Sequence, residues 1–175
     1  LTDEELLHYA QMIDHSAWRC ARLIRTMRQY TYMNGPELVP CDLQQLVESA
    51  LVLVGYEFER RYNIVFERRF ADDLDPVPCD QNQLTQVLIN LLINARDAIP
   101  YEGGVIRLTT GRLPDEQGQF IMVSDSGRGI DAELFPRIFD PFVTNKPVDE
   151  GTGLGLSIAA EIMEYHGGRI EAQNN

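Results

Sequence analysis

Three groups of residues in this 175-residue chain have the types and spacing to do chemistry. The first is a row of amides ending in an acid. Gln83, Gln86, Asn90, Asn94 and Asp97 follow one another at intervals of 3, 4, 4 and 3 residues, which sets them on one stripe of a helix turning about 100° per residue. An unpaired buried amide costs about 1–3 kcal/mol, so these groups need partners, either neighbouring backbone or a ligand. The second group is Asp125-Ser126-Gly127-Arg128-Gly129-Ile130. A carboxylate at a strand end can accept a hydrogen bond from a ligand's exocyclic amine, and two glycines let backbone come close; a glycine-rich surface turn has the same composition. The third is Gly151-Thr152-Gly153-Leu154-Gly155-Leu156, directly ahead of a helical pattern. Free N–H groups at a helix start suit phosphate, and tight packing of the glycines is the alternative. The run is not a Walker loop. It is Gly-x-Gly-x-Gly rather than GxGxxG and follows no first strand, which argues against a dinucleotide site. Protein-kinase HRD and DFG signatures are absent.

The helix that carries the amides must be buried on most of its sides. Leu84, Leu88, Leu91, Ala95 and Ile99 share one wide face, and Ile89 and Ile93 cover another; a helix apolar nearly all round belongs in a core. Asp80 is its expected cap, and it ends near Pro100. Upstream, residues 1–33 contain no Gly or Pro, and Leu6, Ala10, Ile13, Ala17, Cys20, Ile24, Met27 and Thr31 alternate at steps of 4 and 3. That is a heptad seam, started by Thr2 and stopped by Asn34-Gly35-Pro36. His8 and His15 fall opposite it. The seam needs a partner helix, and the chain offers no second one, so pairing with another chain or with sequence outside this one is expected. Residues 36–41 hold two prolines and read as an extended linker, dividing the chain into residues 1–35 and 36–175.

After the linker, Asp42 caps a helix with Leu43, Leu46, Val47, Ala50, Leu51 and Val54 on one face. Residues 62–67, 105–110 and 120–125 read as strands, the last two joined by a hairpin turn at 114–118. Residues 72–78 read as an acidic loop. The 120–125 strand is apolar at consecutive positions and is expected to be central. Residues 131–150 have weak periodicity and fit a functional lid. A final helix carries Ile158, Ala159, Ile162 and Met163 on its apolar face, ends at Gly167-Gly168, and leads into a strand at 169–172.

The bulk composition bounds the function. With 44% hydrophobic and 24% charged residues the chain is a soluble globular protein, and a net charge of −12 argues against a nucleic-acid surface. Cys20, Cys41 and Cys79 are odd in number and far apart in sequence. They form neither a disulfide framework nor a CxxC metal site, which fits a reducing compartment. No apolar run approaches the ~18 residues of a membrane span and no signal peptide is visible, so a cytoplasmic location without membrane contact is expected. The chain begins without Met and stops where a strand is starting. It reads as a piece of a longer protein, whose parent could be membrane-associated.

The amide helix, Asp-x-Gly-x-Gly, Phe139-Asp140-Pro141-Phe142 and Gly-Thr-Gly-Leu-Gly-Leu, in this order and at this spacing, resemble the N, G1, F and G2 boxes of sensor histidine kinases. These belong to the GHKL superfamily, with DNA gyrase B subunits and MutL-type repair proteins. The resemblance covers residues 36–172. Residues 1–33 resemble the second helix of a dimerisation and histidine phosphotransfer hairpin, and the short lid with Phe142-Val143-Thr144-Asn145-Lys146-Pro147 looks most like the nitrogen-regulation type. The implied fold is a two-layer α/β sandwich, the Bergerat or GHKL ATP-binding fold, with one bundle helix attached.

The resemblance implies a role for each matching residue. Asn94 would offer its amide oxygen to Mg²⁺, a hard ion that prefers oxygen, and Asn90 would face the phosphates or the metal's waters. Asp125 would read the adenine amine, with Gly127, Gly129 and Ile130 beside the base. Gly151, Thr152, Gly153, Leu154, Gly155 and Leu156 would line the triphosphate. Lys146 would reach the terminal phosphate, unless it is a plain surface lysine. Phe139 and Phe142 would anchor the lid, unless they merely pack. Arg128 and Arg137 could offset phosphate charge. Asp97 stands where many relatives carry Lys, Arg or Tyr, and an acid cannot make that phosphate contact. Asn90 replaces the Glu of the ATP-hydrolysing relatives, and Asn is no general base.

The implied reaction is transfer of the ATP γ-phosphate to a histidine, then to an aspartate on a response regulator, by a homodimer joined through the N-terminal helix. His8-Tyr9-Ala10-Gln11 and His15-Ser16-Ala17-Trp18 do not match the acceptor motif, and His166 matches the His-Gly-Gly turn after the last helix. This chain is therefore expected to bind ATP and not to autophosphorylate. A GHKL serine kinase, an ATP-driven conformational ATPase and a non-enzymatic interaction module are the rival readings.

Overall fold

The computed structural model describes residue 9 and residues 37–114, 118–147 and 151–174. The heptad helix, His8, His15 and Cys20 lie outside the described residues. Two helices of the described fold start on Asp caps. Asp42 accepts from the N–H groups of Gln44 and Gln45 (2.7 and 3.2 Å) and starts α1, Leu43–Tyr62. Asp80 accepts from those of Asn82 and Gln83 (3.0 and 3.1 Å) and starts α2, Gln81–Ala98. Each carboxylate satisfies donors that a helix leaves free in its first turn.

Strands β2 (Ile64–Arg69), β4 (Gly104–Arg112) and β5 (Gln119–Asp125) form one sheet. The β2–β4 pair is parallel, and β4–β5 is an antiparallel hairpin. Alternate residues of β4, Ile106, Leu108 and Thr110, are buried against the helices. The opposite face carries the Arg107–Glu67 ion pair at 2.8 Å and the exposed side chains of Val65 and Met122. One helical layer on this sheet is the two-layer sandwich that the resemblance implies.

Three sequence expectations fail locally. Among the described residues β4, not the 120–125 strand, is central; β5 lies at the edge with none of its residues fully buried. Its consecutive apolar residues divide between the two faces, Ile121 and Val123 packing on the core and Met122 facing out. The 36–41 linker and the 72–78 loop contain short strands, β1 (Val39–Cys41) and β3 (Val77–Cys79). They are the same tripeptide, Val-Pro-Cys, paired antiparallel with Pro40 opposite Pro78. A three-residue strand is too short to show a period. Finally, residues 169–174 form no ladder. The side-chain amide of Asn174 instead takes both backbone groups of Ile130, at 2.8 Å each.

The β1–β3 pairing also joins two thiols that are far apart in sequence. Cys41 Sγ donates to the carbonyl of Cys79 at 3.4 Å, and both cysteines are free and buried. Burial, then the neighbouring Cys41, pushes the Cys79 thiol up to about 12.

Helix α2 sits between α1 and α3, Gly155–Tyr165. Leu84, Val87, Leu88, Leu92 and Ala95 of α2 are buried, and Ala159 of α3 is fully buried against the same core. His166 fixes the end of α3. Its Nδ1 is bonded to the Ile162 carbonyl at 2.8 Å, so Nε2 is the acceptor for the Asp80 N–H at 3.0 Å.

Candidate nucleotide site

Four positions along one side of α2 hold three parts of the candidate site, two of them sharing the lid lysine. Asn90 donates from Nδ2 to the carbonyl of Gly155 at 3.0 Å and accepts from Gln86 at 3.2 Å, which seats the start of α3 on the helix. One turn on, Asn94 Oδ1 accepts from Lys146 Nζ of the lid at 3.3 Å. Asp97 Oδ2 accepts from the same ammonium at 2.5 Å. Ala98 accepts at its carbonyl from the N–H of Arg128 at 3.1 Å, which lays the Asp125–Gly129 loop on the end of the helix. From Gln86 to Asp97 the stripe thus has protein partners, as the plain structural alternative requires, in segments picked out from sequence.

The loop after β5 is built by a local bond. Asp125 accepts at Oδ1 from the Gly127 N–H at 2.8 Å, and among the described residues its other oxygen has no protein partner. Gly127 is glycine because a Cβ there would stand 2.7 Å from the Cβ of Ala98; packing on α2 requires it with or without a ligand. Gly129 has φ +73°, a left-handed conformation that glycine adopts without strain. Ile130 is held by Asn174 through its backbone.

The second glycine run joins the lid to α3. Gly151 donates to the Pro147 carbonyl at 3.1 Å, and a Cβ on it would stand 2.7 Å from Thr144 Oγ1. Gly153 has φ +65° and accepts from the Phe142 N–H at 2.9 Å. Thr152 Oγ1 accepts from the N–H of Leu154 at 3.4 Å. Leu154, in the N-cap position just ahead of α3, is buried, and no side chain caps the helix. The first helical bond runs from Ile158 to Leu154 at 3.0 Å, leaving the N–H groups of Gly155, Leu156 and Ser157 ahead of it. Such an end, with the dipole of an 11-residue helix behind it, suits an anion.

One lid expectation is corrected. Phe142 is 74% exposed with φ +66°, so its ring anchors nothing within the described residues; its backbone, bonded to Gly153, does. The buried lid residue is Ile138, and Phe139 is half-buried. Arg137 is exposed and spans to Asp140 at 3.0 Å, and Arg128 is exposed. Among the described residues neither side chain makes an ion pair with another candidate residue. Residues missed from sequence include Thr144, whose hydroxyl accepts from the Lys146 N–H at 3.1 Å, and Asn174. A Thr two residues before Lys is a legible turn signal; nothing near Asn174 announces its role.

The family model described as histidine kinase-, DNA gyrase B-, and HSP90-like ATPase matches residues 79–175. The chain belongs to this family. It is the ATP-binding catalytic domain of sensor-histidine-kinase type. It is 37% identical over 164 residues to the sensor histidine kinase ZraS of Escherichia coli strain K12, covering 93% of this chain and 34% of that one. It is 33% identical over 181 residues to the sensory histidine kinase/phosphatase NtrB of Rhodobacter capsulatus, covering 97% of this chain and 50% of that one. The chain thus spans a third to a half of the length of these relatives. Among solved structures it is similar to histidine kinase ThkA in complex with the response regulator protein TrrA, with a TM-score of 0.77 and 29% identity, covering all of this chain and 49% of that one. No described helix is long and apolar enough to cross a membrane.

Proposed function

We propose that the chain presents ATP for phosphoryl transfer to a histidine on a separate helix, and from there to a response-regulator aspartate. The observation that carries this is the register along α2, where Asn90, Asn94, Asp97 and Ala98 hold the start of α3, the lid and the Asp125 loop around one helix side. In this reading Asp125 takes the adenine amine on its free oxygen, beside Gly127, Gly129 and Ile130. Gly151 to Leu156 line the phosphates with backbone N–H groups, and Lys146 neutralises the terminal phosphate. Positioning and charge neutralisation supply most of the catalysis in such transfers.

Asn94 is the proposed Mg²⁺ ligand. Its oxygen already meets a cation, the Lys146 ammonium. The described residues contain no cluster of three acids, histidines or cysteines that could hold a metal by themselves. One neutral oxygen plus phosphates and waters is what Mg²⁺ accepts, so the residues fit the ion; bound, it would offset phosphate charge. Residues 1–35 are the proposed dimerisation helix and 36–175 the catalytic domain. The cognate partner in the intact protein is a receiver domain, a reading supported by the ThkA–TrrA likeness.

The test is thermal unfolding with a non-hydrolysable ATP analogue. At 100 times Kd the ligand should stabilise the fold by about 2.7 kcal/mol. Asn94→Ala should remove the Mg²⁺-dependent part and leave metal-free ADP binding within about twofold. Absence of any nucleotide effect would overturn the reading in favour of an interaction module. Fast steady hydrolysis would favour an ATPase, because Asn90 offers no base.

A further inference from the structure

Asp97 lies in the nucleotide site and yet is an acid, which phosphates would repel. Its surroundings account for it. The side chain is 23% exposed and stands between two cations. Arg96 holds Oδ1 through Nε at 2.7 Å and Nη2 at 2.5 Å. The same guanidinium lies 5.0 Å from the Tyr62 ring centroid and 5.4 Å from that of Phe58, so Arg96 is seated on aromatic faces and fixes the direction of the carboxylate. Oδ2 is left for Lys146, 49 residues away in the lid. An ammonium has three donors; two of them here go to Asp97 Oδ2 and Asn94 Oδ1.

We propose that Asp97 is a positioning residue for lid Lys146: it holds the ammonium on the Asn94 oxygen in the nucleotide-free protein, so that the lysine is a tethered cation which the metal–nucleotide complex must displace. The gating half of this rests on the nucleotide reading above; the latch itself does not. With a metal on Asn94, like charges could not share that oxygen closely, and Lys146 would move off it. Asp97 keeps the lysine at the edge of the site, within reach of a terminal phosphate that ATP has and ADP lacks. The acid thus acts through the lid lysine.

Hydrogen exchange of residues 139–147 in the nucleotide-free chain tests the latch. The amides of Asp140, Phe142, Val143 and Lys146 are all bonded in the closed lid. Asp97→Asn and Lys146→Met should each speed their exchange about fivefold or more. The double variant should add nothing further, and Lys146→Arg should keep most of the protection. Lys146→Met leaves the Arg96 contacts intact, so it decides the matter if Asp97→Asn unfolds. Mg-ADP, with no terminal phosphate to lose, should bind both single variants about threefold or more tighter, while a Mg-ATP analogue binds Lys146→Met more weakly. Unchanged lid exchange in Lys146→Met overturns the latch, as does a rise in Asp97→Asn alone. If the wild type binds no nucleotide, the nucleotide reading and the gating half fail together, and lid exchange still decides the latch.

Discussion

The imidazole of His166 accepts a hydrogen bond from the backbone N–H of Asp80, 3.0 Å away and 86 residues earlier in the chain. Asp80 also caps α2 through its side chain. One residue therefore starts the helix that carries the candidate site and receives the end of the helix that opens on it. His166→Ala should destabilise the fold by about 1–3 kcal/mol, since it leaves a partly buried N–H unpaired. Urea unfolding without nucleotide checks this. An acceptor histidine would instead be dispensable for stability.

Asn90 should behave as a structural amide before any ligand arrives. Asn90→Asp keeps the shape and replaces the Nδ2 donor by an oxygen facing the Gly155 carbonyl, now 3.0 Å from that donor. A loss of about 1–3 kcal/mol is expected, with reduced affinity for an ATP analogue because α3 is no longer seated. A variant of wild-type stability would show that the bond is not formed in solution.

Gly153→Ala should cost more than the ~1–2 kcal/mol of a left-handed alanine. Its Cβ would lie 2.7 Å from the Phe142 Cα, against backbone that cannot swing aside. The lid pairing of Phe142 with Gly153 should open, and affinity for an ATP analogue should fall about tenfold or more. Titration calorimetry would read it. Gly167→Ala has φ +68° but open space around its Cβ, so it should show the conformational cost alone.

Cys79 gives a pH prediction of definite sign. Its folded value is raised from an ordinary 9.0 to about 12 by burial and by Cys41. Its neutral thiol therefore stabilises the fold fully below pH 9, and that contribution is lost as pH rises towards 12, because the unfolded chain gives up the proton first. Cys79→Ala should be destabilising at pH 8, and the gap to wild type should narrow by up to about 1.4 kcal/mol per pH unit above 9. Chemical denaturation at pH 8, 9.5 and 10.5 would show the trend. A gap independent of pH would mean the thiol is not sequestered.

The helices and the site segments were legible because each carries a signal within a few residues. Asp42 and Asp80 announce helix starts, and the amide stripe and two glycine runs announce their loops. What was not legible depends on contacts between distant segments. Asp97 has no local explanation; its meaning needs Lys146. Phe142 looks like an anchor by composition, and only the fold shows that its backbone, not its ring, makes the contact. The pairing of two Val-Pro-Cys tripeptides 38 residues apart defeats any periodic reading, and it reunites cysteines that the sequence keeps apart. β5 looked central because consecutive apolar residues are the mark of a strand covered on both faces. Its place at an edge among the described residues follows from which strands pair, which composition does not encode.

The twin tripeptides have one more consequence. Pro40 faces Pro78 across the ladder, and neither has an N–H to give. The pair must be the non-bonded type, so each missing donor is one that would have pointed outward, away from the partner strand. Both rims of this little ribbon are therefore blunted at their midpoint. An extended segment from another molecule finds no donor there to template on, and the ribbon resists the edge-to-edge association to which bare strands are prone.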